Sequence, residues 1–190
     1  MPNAKTARGG LMLFGVAALA SIFLWISAAW LTNPWFDFHT DALSALGSPG
    51  ATDPWIYNAG LMFTAILIVL YASGLILYSR NEIQTVGASF FIVAAMFLAL
   101  IGIYHGGTYP HDFVSVWFFI QADIAIIIWG SGALLQKRMI GVYSVVIAVS
   151  ATFIAYAVKW QSSAELETFG TCAISLWVIL TIAFSRMNRI

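Results

Sequence analysis

Six unbroken apolar stretches of about 20 residues decide what this chain can fold into. They run over 11–32, 57–79, 84–105, 113–135, 139–159 and 166–185. A helix of that length crosses the roughly 30 Å hydrocarbon layer of a bilayer. Backbone polar groups find no water partner in lipid, so a spanning segment is a helix or one strand of a closed barrel. Barrel strands alternate apolar and polar residues, and these runs do not. Composition agrees. Of 190 residues, 61% are hydrophobic and 8% charged, with a mean hydropathy of +0.89, whereas about a quarter of a soluble domain is charged. The expected fold is therefore all-α, a polytopic membrane bundle of six transmembrane helices in one integral membrane domain over 1–190. The first span is too long for a signal peptide and no small-residue cleavage site follows it.

The basic residues orient the bundle. With the N-terminus inside, Lys5, Arg8, Arg80, Lys137, Arg138, Arg186 and Arg189 all fall on the cytoplasmic side, leaving only Lys159 outside. The positive-inside rule then places both termini in the cytoplasm of a multi-pass cell-membrane protein. The acids do the reverse: Asp37, Asp41, Asp53, Asp112, Glu165 and Glu167 lie outside, Glu82 inside and Asp123 within a span. Cys172, the single cysteine, sits inside the last span and reads as a small buried hydrophobe.

Small and polar side chains let membrane helices approach and bond. Gly60, Thr64, Tyr71, Gly74 and Tyr78 form one stripe, and Gly87, Ala94, Gly102 and His105 another; both read as helix-packing faces. In the fourth span Asp112 and Asp123 share a face, since eleven residues at 100° return to within about 20°. Asp123 lies roughly 16 Å deep at 1.5 Å per residue, near mid-bilayer. A carboxyl there must be protonated, paired or facing a wet cavity. It is expected to face the bundle interior, as an interhelical hydrogen bond or as a catalytic or proton-handling group. Gln121 points elsewhere, toward a different neighbour.

All three histidines fall in two outer connections. In 33–56, Asp37, His39 and Asp41 share one side of an extended segment. A short interfacial helix follows, Thr40 or Asp41 capping Ala42–Leu46 and Gly47 ending it, with Ser44 on the side of Asp41. In the second connection His105 and His111 flank Gly106-Gly107 and Pro110, and Asp112 follows. His39, His105, His111 and Asp112 can then converge as ligands of a divalent metal such as zinc. A polar cap that orders the loops and a pH-sensitive or small-ligand site are the other readings. Ser44, Asp41 and Asp123 are the candidate catalytic residues, although a Ser-His-Asp triad needs a strained nucleophile turn that Ser44 does not offer.

The run DALSALGSPGATDPWIYNAGLMF, followed by GIYHGG and HDFVSVWFF, resembles the prokaryotic membrane family catalogued as domain of unknown function 998. Ser44, Leu46, Gly47, Asn58, Gly60 and His111 carry the likeness, which covers about 35–135 and extends over the six spans. It implies a six-span membrane protein and no particular activity. A more distant analogy is to the alkaline ceramidase and adiponectin-receptor superfamily, which sets Ser, Asp and three His around zinc. Those proteins have seven spans and two histidines a turn apart in the last, whereas 166–185 here contains no histidine.

Three functions are open. A membrane-embedded, metal-dependent hydrolase acting on a lipid or amide would use the outer His/Asp cluster and a metal-bound water. A small-molecule or ion binding or transport protein would use the same cap and Asp123, although no inverted repeat or broken helix marks a transporter. An accessory subunit of a membrane complex would need only helix surfaces. Membrane lipids are the expected partners, with a homo-oligomer or complex partner as further options and no nucleic acid.

Overall fold

The computed structural model describes residues 4–187. Its elements are α1 (Ala4–Thr32), a 3₁₀ helix (Leu43–Gly47), α2 (Trp55–Tyr78), α3 (Glu82–Ile103), α4 (His111–Leu135), α5 (Met139–Ala157) and α6 (Ser163–Met187). No strand occurs among the described residues, and each of the six α-helices is long and apolar enough to cross a membrane. The protein is an all-α integral membrane protein. Arg189 and the side chains of Lys5 and Arg8, which contribute to the charge asymmetry, lie outside the described residues.

Two helix starts are built alike. Asn81 caps α3 by accepting from Gln84 N at 2.9 Å, and Gln84 Oε1 reaches back to Arg80 N at 2.9 Å. Ser162 Oγ accepts from Glu165 N at 3.1 Å, and Glu165 Oε2 reaches back to Gln161 N at 3.0 Å. Each pair satisfies amides that a helix start leaves unbonded. The second pair starts α6 at Ser163, earlier than hydropathy alone places it.

Helices adjacent in the chain pack side by side, and α6 returns to close the ring against α1. The small-residue stripes do the packing. A Cβ on Gly87 would lie 2.4 Å from Trp129 N, and one on Gly102 would lie 2.5 Å from Asn58 O. Only glycine lets α3 approach α4 and α2 so closely. Ser21 and Thr64 bond across α1 and α2 at 2.7 Å, and Tyr71 bonds Thr181 across α2 and α6.

An aromatic cluster fills one half of the bundle. Trp177 meets Phe91 at 5.2 Å, Trp129 at 5.9 Å and Tyr71 at 6.5 Å between ring centroids, all edge-on. Tyr78 stacks on Trp129 and accepts from Arg138 Nη2 at 2.9 Å, tying the cluster to the α4–α5 connection. These rings are almost wholly buried. The other half is looser. The buried residues of α5 are Ile140, Gly141, Ser144 and Ala148, so its last nine residues carry none.

Candidate functional site

The connection 33–54 forms the cap of the loose half. Asp37 does not lie in an extended segment. Its carbonyl accepts from Asp41 N at 2.9 Å, its carboxylate accepts from His39 N at 2.8 Å, and Asp41 Oδ2 accepts from Asp37 N at 2.8 Å. The acids close their own turn because free amides lie within reach of short carboxylate side chains. Asp41 is thus committed to that turn, and the 3₁₀ helix begins after Ala42 without a side-chain cap. Leu43, Ser44, Leu46 and Gly47 are buried, so this helix plugs the bundle end and does not lie across it as an amphipathic surface helix would.

The cap is held by α6. His39 Nδ1 lies 2.8 Å from Glu165 Oε1, Ser162 Oγ donates to Phe38 O at 2.6 Å, Ala164 N donates to Asp41 O at 3.1 Å, and Leu43 N donates to Glu167 Oε2 at 2.9 Å. On the opposite side Phe38 stacks flat on Trp30 at 5.7 Å.

The candidate metal ligands therefore part company. His39 is exposed and goes to α6. His111 is buried and its Nδ1 lies 2.7 Å from Tyr104 O. His105 Nδ1 lies 3.0 Å from Gly106 O, and Asp112 is exposed beside a shallow surface depression. Among the described residues no group of three or more His, Cys, Asp or Glu is arranged to hold a metal ion. Each imidazole is instead held by its own neighbour, His39 by Glu165 and His105 and His111 at backbone carbonyls. The turn at 104–110 still touches the cap, since a Cβ on Gly106 would lie 2.9 Å from Ser44 O.

Under the 3₁₀ helix lies a cavity of about 70 Å³, with Leu43 and Ser44 at one end and Tyr71 and Phe91 at the other. A water needs roughly 10–15 Å³ of such room, so a few waters or one small polar group fit. The walls are mainly apolar. Thr64 and Tyr71 are already bonded to Ser21 and Thr181, and Ser175 donates to Thr171 O at 2.7 Å. Ser44, Tyr57, Ser115 and Glu167 remain to serve whatever enters. Glu167 Oε2 is bonded to Leu43 N, while Oε1 has no hydrogen-bond partner among the described residues. His111 Nδ1 faces a carbonyl and must carry the ring proton, so Nε2 is the acceptor for Ser115 Oγ, 3.3 Å away.

A second hollow of about 260 Å³ separates α1 from α6 and shares Ile26, Leu43 and Thr171 with the cavity. The cavity thus adjoins the flank of the bundle. Ser44 stands in its wall as the sequence reading allows, but Glu167 and Ser115 are new. Glu167 reads from the sequence as one more outer acid; the signal that identifies it is an acid within the apolar run of α6, two residues past a Ser-x-x-Glu cap.

Asp123 lies elsewhere. It accepts from Thr152 Oγ1 of α5 at 2.9 Å and borders a groove between α4, α5 and α6, not the central cavity. Ala122, Ala125, Ile126 and Trp129 take the inner face of α4 and turn Asp123 sideways. Gln121 keeps its buried Oε1 without a protein partner. Cys172 is exposed on α6, not buried.

No curated protein and no solved structure matches this chain. One family does: its profile covers residues 15–183, taking in the cap, the cavity and the Asp123 groove together. The chain belongs to the family described as Protein of unknown function (DUF998).

Proposed function

We propose that this protein binds an amphiphilic molecule drawn from the surrounding bilayer, with its head under the 3₁₀ helix and its tail in the α1–α6 cleft. Glu167 carries the reading. Its carboxyl has one oxygen on Leu43 N, and the side chain stands in the wall of a mainly apolar cavity that shares residues with the lateral cleft. An acid in such surroundings is costly unless something pairs with it. A head group with N–H or O–H donors supplies that pairing, and Ser44, Tyr57 and Ser115 add hydroxyls around it. Size assigns the two ends. A dry cavity of about 150 Å³ holds a benzene ring, so about 70 Å³ takes a head and about 260 Å³ takes part of a chain. On the orientation that the charge asymmetry supports, with both termini in the cytoplasm of a cell membrane, the cap and cavity serve the outer leaflet.

Ser115 and His111 favour a second reading, hydrolysis of a lipid ester or amide. Nε2 of His111 would take the Ser115 hydroxyl proton as Oγ attacks the carbonyl carbon and return it to the leaving group as the ester or amide bond breaks. A water, deprotonated by the same Nε2, would then cleave the acyl-Ser115 ester and restore the hydroxyl. This version draws on no metal ligand set.

Native mass spectrometry of the protein purified in mild detergent tests the proposal. The wild type should carry co-purified amphiphiles. Thr171→Trp, which fills the wall common to both hollows, should lose them while keeping its helical circular dichroism spectrum. Equal loading of both proteins overturns the reading. Turnover of a fluorogenic acyl ester that disappears in Ser115→Ala, with loading intact, would select hydrolysis.

A further inference from the structure

The groove beside Asp123 has chemistry of its own. It holds about 260 Å³ between α4, α5 and α6 and is lined by apolar side chains except at Asp123 and Thr152. It exists because the second half of α5 leaves the bundle: Thr152 is exposed, and no residue of α5 beyond Ala148 is buried. Phe119 and Phe169 supply aromatic walls. Phe119 lies against α6 at Gly170, where a Cβ would come within 2.7 Å of the ring. Asp123 is twelve residues into α4, roughly 18 Å from its start at 1.5 Å per residue. One carboxyl oxygen accepts from Thr152; the other has no hydrogen-bond partner among the described residues. Among the described residues no Lys, Arg or His lines the groove.

A carboxylate in a lipid-facing apolar groove lacks the cation that would stabilise it. The complementary ligand is an apolar body with one positive charge: the charge pairs with the open oxygen, the body displaces lipid from the walls, and the rings add cation–π attraction. We propose that this groove is a binding site for a lipophilic organic cation, such as an aromatic amine or a quaternary ammonium or phosphonium ion, entering from the bilayer. The site is separate from the cavity under the 3₁₀ helix and shares only Phe119 and Ile174 with its lining.

The test uses radiolabelled tetraphenylphosphonium and the full chain in nanodiscs at neutral pH. The wild type should bind it saturably. Asp123→Asn, which keeps the shape and removes the charge, should weaken binding about thirtyfold or more, the scale of a lost buried charge pair. Ala155→Phe, which fills the groove and leaves the carboxyl, should abolish it. Thr171→Trp should bind like wild type, so failure here is distinguishable from failure of the amphiphile site. Should Asp123→Asn not fold, Ala155→Phe and Asp123→Glu decide, the second by retaining binding. Absence of saturable binding to the wild type, or equal binding to Asp123→Asn and to wild type, overturns the proposal. The first result would leave the acid to a proton or to a basic residue of a partner helix.

Discussion

Histidine shows how little a residue's identity says about its use. His39 pairs with Glu165 on α6, while His111 is held between Tyr104 O and Ser115. They share no partner, so their contributions should add. In a double-mutant cycle, His39→Ala and His111→Ala should couple by less than about 0.5 kcal/mol in thermal or denaturant unfolding, the ordinary limit for independent sites. A larger coupling would restore the joint histidine site. His111→Ala alone should be the costlier change, because His111 is buried and its hydrogen bond to Tyr104 O is lost, about 1 kcal/mol or more, whereas His39 is exposed. The sequence shows which residues can do chemistry and that they share one end of the bundle. It does not show which helix end each loop meets, because that depends on the ring order of the helices. Glu165 and Glu167 are far from His39 in the chain, and no spacing rule links them.

At the scale of elements, the six spans were legible because the bilayer enforces them. Helix length and an apolar surface follow from the cost of unbonded backbone in lipid, whatever the packing. The cap was not legible, because its conformation comes from competition among short hydrogen bonds. Ser162 is the joint between the two: it caps α6 and also anchors Phe38 O. Ser162→Ala should destabilise by about 1–2 kcal/mol, the high end of a lost N-cap. It should also raise hydrogen exchange at 37–43 well before the rest of the chain, read by mass spectrometry. Uniform exchange across the cap and helices would show that α6 is not what holds the cap.

For the whole molecule, the charge asymmetry predicts the orientation, and the bundle has two unlike ends. In a Cys172→Ser background, needed because Cys172 is exposed, a cysteine at Gly50 should react with an impermeant maleimide added to intact cells. One at Lys137 should react only after lysis; labelling at Lys137 from outside would invert the topology. The cluster of Tyr71, Phe91, Trp129 and Trp177 below the cavity bears on a different property, electrical tightness. These buried rings close the inner end of the cavity, so water admitted beside Glu167 would meet a packed aromatic floor and no path for protons across the bilayer. Trp177→Ala removes the ring that the other three all touch. Liposomes carrying that variant should dissipate an imposed pH gradient faster than liposomes carrying the wild type, turning a blind chamber into a conductance.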